Sequence, residues 1–220
     1  MLISHKHKFI TIDIPKTGTR SLRETFVPQN IIDIVGEPNL NADFYQHGTA
    51  QQCLNSLQEL NKNFADYFSF TIVRNPWDRY YSFFKYFKEY AKKYKNKDES
   101  ITWNAPEINQ GKMCEKLFAN KTDEIVLRSI ILNNSCQSDY YTNKNGEIMV
   151  SHIAKFENLN EEFELLCNKV NVTYSPLFHG NKSVIKGGYH DIYTQEIINL
   201  VAEKEKNVIE LKNYGYISQT

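Results

Sequence analysis

Several features that would place a chain quickly are missing from this one. No Cys-x-x-Cys pair occurs, and the four cysteines, Cys53, Cys114, Cys136 and Cys167, are widely spaced. Neither a zinc site nor a dense disulfide framework is expected, and a reducing, cytoplasmic setting is the simplest expectation. No apolar run approaches the roughly 20 residues of a membrane helix. Met1 to Lys8 carries charge and leads into a short strand, unlike a signal peptide. Net charge is also missing, with 26 Lys and Arg against 26 Asp and Glu. A general attraction to nucleic acid or anionic membrane needs a basic excess, so neither partner is expected. The one basic cluster, Lys85 to Lys97, reads as the solvated face and end of a helix. No linker rich in Pro, Gly or Ser divides the 220 residues, and no internal repeat is present. A single domain over 1–220 is expected. The four Asn-x-Ser/Thr sequons, at Asn120, Asn133, Asn171 and Asn181, are what an Asn- and Ser-rich chain produces by chance.

What is present is an apolar fraction of 41%, within the globular range, with 14 Tyr and 13 Phe to make the core aromatic. Lys8 to Ile14 and Tyr67 to Val73 read as buried strands, and Asn30 to Val35 as a weaker one. Helices are expected over Thr19 to Phe26, over Ala50 to Leu60 behind a Thr49 cap, and from Pro76 onward. In that last helix Tyr80, Phe83, Phe84, Phe87, Ala91 and Tyr94 form one stripe. Further helices are expected near 108–119 and 122–133, over Leu159 to Val170, and over Thr194 to Val208. Asn145-Gly146 marks a hairpin turn within 139–150, and Ile153 to Phe156 a short strand. Strands alternating with helices predict an α/β domain with a mainly parallel central sheet and helices on both faces.

Two strand-to-helix junctions concentrate basic and hydroxyl residues. The first is Ile14-Pro15-Lys16-Thr17-Gly18-Thr19-Arg20-Ser21. Gly18 permits a tight turn, so backbone N–H groups at the helix start can converge on a phosphate, while Lys16 adds charge and the hydroxyls add donors. It is not a Walker A loop, because G-x-x-x-x-G-K-[ST] is absent and the Lys precedes the Gly. The second is Val73-Arg74-Asn75-Pro76-Trp77-Asp78-Arg79-Tyr80-Tyr81-Ser82. An Arg at a strand end can fork onto a phosphate while Ser82 donates beside it. Each junction alone also fits a plainer structure: a turn with surface hydroxyls, an Arg74–Asp78 ion pair, or an Arg79 lying on the helix surface.

Paired at this spacing, the junctions resemble the sulfotransferase family. Residues 14–19 look like its 5′-phosphosulfate loop and residues 73–82 like its 3′-phosphate motif. Gln137-Ser138-Asp139-Tyr140 through Gly146 to Phe156-Glu157-Asn158-Leu159 is similar to the carbohydrate-type branch. The resemblance implies a P-loop-like nucleotide-binding fold. It also implies 3′-phosphoadenosine 5′-phosphosulfate as sulfuryl donor without a metal, and adenosine 3′,5′-bisphosphate as product. By that match Pro15, Lys16, Thr17, Gly18, Thr19 and Arg20 form the 5′ loop, with Lys16 stabilising the leaving phosphate. Arg74 and Ser82 hold the 3′-phosphate. Arg20 departs from the small hydroxyl residue usual at its position. The glycine-rich Arg-Lys-Gly loop of the cytosolic branch is reduced to Lys186-Gly187-Gly188, and Lys182 and Ser183 are candidate late contacts.

An acceptor hydroxyl needs a base. His47, in Gln46-His47-Gly48-Thr49, is similar in placement to the histidine base of carbohydrate sulfotransferases. His179 and His190 are weaker candidates, and Glu157 reads as a structural network residue. The acceptor implied is a hydroxyl, on a sugar or small molecule, with Tyr45, Trp103 and Tyr189 as candidate stacking aromatics. The rival readings are a kinase with a divergent phosphate loop and a nucleotide-binding module without turnover.

Overall fold

The computed structural model describes residues 1–37, 43–97, 104–177 and 189–216, the last range without the side chains of 189 and 190. In chain order the elements are β1 (Leu2–Ser4), β2 (Phe9–Ile12), α1 (Thr19–Phe26), β3 (Ile34–Val35), α2 (Ala50–Glu59), β4 (Phe68–Val73), α3 (Pro76–Lys95), α4 (Ala105–Phe118), α5 (Asp123–Asn133), β5 (His152–Lys155), α6 (Leu159–Lys169), α7 (Gln195–Lys204) and α8 (Lys206–Lys212). They fall into two compact units. The first contains Met1–Asn75, the described part of Ser135–Ile185, and Asn207–Tyr214. The second contains Pro76–Asn134 and the described residues of Lys186–Lys206 and Gly215–Thr220.

The first unit holds the sheet, in the order β3-β1-β2-β4-β5. β2, β4 and β5 pair in parallel, with Ile12 opposite Thr71 and Val73 opposite Lys155. β1 is antiparallel to both β2 and β3. Among the described strands only β1 is therefore reversed, and the mainly parallel sheet is as expected. Side-chain alternation sends the two faces of each strand into separate clusters. Leu2, Phe9, Phe70, Ile72 and Ala154 pack with Leu22 and Phe26 of α1 and with Phe163, Leu166 and Cys167 of α6. Ile3, Ile10, Ile12 and Ile153 pack with Ala50, Cys53 and Leu57 of α2 and with Val208 of α8. Helices thus cover both faces. Burying a side chain such as Phe70 or Ile72 contributes about 1.5–3 kcal/mol.

Helix starts follow local chemistry. Thr49 Oγ1 accepts from Gln52 N at 3.2 Å, and Gln52 Oε1 accepts from Thr49 N at 2.8 Å, a reciprocal capping box on α2. Asn104, Thr122 and Thr194 cap α4, α5 and α7 in the one-way form.

The second unit is helical. α3 and α4 approach closely because Gly111 faces Tyr94, where an added Cβ would lie 2.2 Å from the ring. Arg79, a surface candidate by sequence, is fully buried and donates from Nη1 to Glu205 Oε1 at 3.0 Å. Tyr80 Oη donates to the same oxygen at 3.0 Å.

Four expectations change. β1 was not anticipated. The strand over 30–35 contracts to Ile34–Val35. The 139–150 stretch keeps its turn, with Gly146 at φ +81°, but its strand pairing is limited to the isolated Thr142–Ile148 bridge. The terminal helix splits at Glu205, whose side chain is committed to Arg79.

Candidate functional site

The first junction grows out of β2. Asp13 and Ile14 continue the buried strand, and Pro15 cannot donate to a ladder. The chain then passes through two left-handed residues, Lys16 at φ +70° and Gly18 at φ +85°. Between them the Thr17 hydroxyl donates to the Ile14 carbonyl at 2.9 Å and staples the loop shut. Lys16 is a long side chain held in a conformation that costs about 1–2 kcal/mol without glycine, and such strain gathers at functional loops. α1 begins at Thr19 with Gly18 as N-cap and no side-chain cap. A glycine N-cap supplies no side-chain cap of its own, and the positive dipole end of such a helix start suits an anion. Gly18 also packs against Phe156, where an added Cβ would meet the ring at 3.0 Å.

The second junction meets the first within the sheet unit. Arg74, at the end of β4, donates from Nη1 to the Lys16 carbonyl at 3.1 Å. Its guanidinium lies 4.3 Å from the Phe156 ring centroid, a cation–π contact on the same ring that Gly18 abuts. Its backbone is bracketed by one amide: Gln137 Oε1 accepts from Arg74 N at 2.9 Å, and Gln137 Nε2 donates to Arg74 O at 2.9 Å. Glu157 accepts from Asn75 N at 2.6 Å and from the Tyr214 hydroxyl at 2.8 Å. Burial, then Glu157, raises the Tyr214 phenol above its ordinary range.

His47 reaches the same strand exit. Its Nδ1 lies 2.8 Å from the Asp13 carbonyl oxygen. A carbonyl only accepts, so Nδ1 carries the proton and Nε2 of the neutral ring carries the lone pair. Burial pushes the imidazole below its ordinary range, partly offset by the hydrogen bond to Asp13. The ring is therefore neutral near pH 7 and able to accept a proton.

The remaining sequence candidates sort as follows. Arg20 is 66% exposed and pairs with Glu24 one turn along α1 at 2.6 Å. Thr19 is buried. The Thr17 hydroxyl hydrogen is engaged by Ile14, so its backbone is the part left to serve a ligand. Ser82 is half-buried on α3, in the second unit. Tyr45 stands edge-on to His47, with ring centroids 6.5 Å apart. Lys182, Ser183, His179, Trp103 and Lys186-Gly187-Gly188 lie outside the described residues, as do the side chains of Tyr189 and His190. Asp13 was not singled out by sequence, although a carboxylate ending an apolar run is a signal. Gln137 and Phe156 were named only as part of the stretch resembling the carbohydrate-type branch, with no role at the site.

Among the described residues no group of His, Cys, Asp and Glu could hold a metal ion. No described helix is long and apolar enough to cross a membrane. A sequence model of the sulfotransferase family matches residues 1–208. No curated protein and no solved structure gives a match.

Proposed function

The chain belongs to the sulfotransferase family, and from that premise we propose that it transfers a sulfuryl group from 3′-phosphoadenosine 5′-phosphosulfate to a carbohydrate hydroxyl. The observation that supports the reading is the Arg74 Nη1 contact to the Lys16 carbonyl at 3.1 Å, which joins the two candidate motifs. A doubly phosphorylated nucleotide calls for two such motifs held in fixed relation.

The residues fit that donor. The uncapped start of α1 and the turn through Lys16 and Gly18 form a cradle of the kind that binds phosphate through backbone N–H groups. When bound, the donor supplies the sulfuryl group and departs as adenosine 3′,5′-bisphosphate. Lys16 is assigned to the charge that grows on the departing phosphate, the electrostatic role that dominates related phosphoryl transfers. Pro15, Thr17, Gly18 and Thr19 shape the loop, and Arg20 marks its solvent side. Arg74 is assigned to the 3′-phosphate, with its direction fixed by Phe156 and Gln137. Ser82 and Lys182 are assigned from the sequence motif alone. His47 Nε2 takes the proton from the acceptor hydroxyl. The carbohydrate acceptor rests on the branch that residues 137–159 resemble.

The test is a transfer assay with ³⁵S-labelled donor and a mixed pool of glycans. Label entering glycan with the native chain, and lost in both Lys16→Ala and His47→Ala while adenosine 3′,5′-bisphosphate still binds, supports the assignment. Undiminished transfer by His47→Ala overturns the base, and undiminished transfer by Lys16→Ala overturns the phosphate role.

A further inference from the structure

Three carbonyls within four residues of the β2 exit each accept from a functional group. Asp13 O takes His47 Nδ1 at 2.8 Å, Ile14 O takes Thr17 Oγ1 at 2.9 Å, and Lys16 O takes Arg74 Nη1 at 3.1 Å. The first of the three belongs to a residue that a strand end does not need. Asp13 is 1% exposed at the end of an apolar run. A buried carboxylate is costly unless it is paired and hydrogen-bonded. Asp13 has both: Thr11 Oγ1 donates to Oδ1 at 2.7 Å, Arg23 Nη2 approaches Oδ2 at 3.5 Å, and the Met1 amino group also meets Oδ2. Arg23 in turn donates from Nη1 to the Gly36 carbonyl at 3.3 Å.

We propose that Asp13 is the positioning residue of the base: its carbonyl locks His47 in the Nδ1–H tautomer with Nε2 as the proton acceptor, and its carboxylate, moderated by Arg23, balances the positive charge the ring takes up. This rests on the assignment of His47 as base. The charged groups acting on the ring are the Asp13 carboxylate, Arg23 and the Met1 amino group, with Tyr45 packed edge-on. Burial alone would leave the imidazole a weak proton acceptor. The Asp13 carbonyl and carboxylate act against that burial, and the Met1 amino group and then Arg23 temper the carboxylate. Asp13 stands three residues before Lys16, so one rigid segment fixes both the base and the donor cradle. That is the kind of shared register on which orientation of reacting groups depends.

The signs for two variants are opposite. Asp13→Asn keeps the backbone carbonyl and the side-chain shape but removes the negative charge, so the imidazolium loses support. Arg23→Gln removes a positive charge, so the imidazolium gains it. The experiment is a pH titration of the full chain with ¹⁵N-labelled histidine, followed by long-range ¹H–¹⁵N NMR of the ring and repeated with adenosine 3′,5′-bisphosphate present. The expected result is a native His47 protonated at Nδ1, titrating at lower pH in Asp13→Asn and at higher pH in Arg23→Gln, with bisphosphate affinity within about twofold throughout. Arg23→Gln alone decides the matter if Asp13→Asn does not fold. A native ring protonated at Nε2, or an Arg23→Gln titration that stays put or moves to lower pH, overturns the proposal. Failure of the reading beneath it looks different: His47→Ala would leave transfer intact whatever the ring titration shows.

Discussion

Gly18 offers a quantitative test of how the loop is built, because Gly146 provides its control. Both have positive φ, +85° and +81°. An added Cβ at Gly18 meets Phe156 Cε2 at 3.0 Å and Leu159 Cδ2 at 3.1 Å, whereas at Gly146 it meets nothing within 4 Å. Gly146→Ala therefore carries only the left-handed penalty, about 1–2 kcal/mol. Gly18→Ala carries that penalty plus overpacking of about 1–3 kcal/mol. For a chain of this size each kcal/mol lowers Tm by roughly 2–4 °C. Gly146→Ala should fall by roughly 4 °C and Gly18→Ala by roughly 9 °C in matched thermal melts. The larger effect also has a functional side. The Phe156 ring that Gly18→Ala would displace is the ring on which Arg74 lies at 4.3 Å. Gly18→Ala should weaken binding of adenosine 3′,5′-bisphosphate, and Gly146→Ala should not. Equal melting losses, or unchanged bisphosphate affinity in Gly18→Ala, would refute the claim that Gly18 seats Phe156 and through it Arg74.

Other outcomes follow from burial and charge. Glu205→Gln leaves the fully buried Arg79 without its counter-charge and should destabilise the helical unit by about 3–5 kcal/mol in urea unfolding, while Arg79→Met combined with Glu205→Leu should recover most of the loss. Burial pushes the Cys53 thiol up to about 12 and the Cys114 and Cys167 thiols up to about 11. Native protein at pH 8 should accordingly label with a disulfide reagent only at the half-buried Cys136, with the other three appearing on unfolding. Because His47 is held below its ordinary range, mainly by burial, this proposed base stays deprotonated as pH falls. The acid limb of kcat/KM should thus lie below pH 6.5, the ordinary imidazole value, and an acid limb above it would contradict the neutral ring.

The parts of the fold legible in the sequence were those written in local chemistry. α1 occupies Thr19–Phe26 as read, because an apolar strand, a glycine turn and a helical pattern follow one another without ambiguity. Thr49 announced the cap of α2, and Pro76 announced the start of α3. What escaped depends on distant partners. β1 is three residues long and takes its identity from pairing with β2 and β3. The 139–150 stretch carries a sound turn signal, yet Asp139 Oδ2 accepts from Cys136 N at 2.8 Å and Thr142 Oγ1 donates to Ser138 O at 2.9 Å. Such local side-chain bonds compete with strand formation. The break falls at Glu205, whose buried side chain pairs with Arg79, 126 residues away, a partner no periodicity can report. The site divides the same way. Lys16, Gly18, Arg74 and His47 were named as candidates because they belong to motifs. Gln137, Phe156 and Asp13 contact those residues in the fold, and such contacts are a property of the folded chain.

The most direct test of the proposed two-motif donor site is calorimetric titration of the purified chain with adenosine 3′,5′-bisphosphate, ADP and Mg-ATP, repeated on Arg74→Ala. The account predicts binding of the bisphosphate in preference to the other two, weakened about 10–100-fold in Arg74→Ala through loss of a charge-assisted contact. Preference for Mg-ATP, or bisphosphate binding that is indifferent to Arg74, would contradict it.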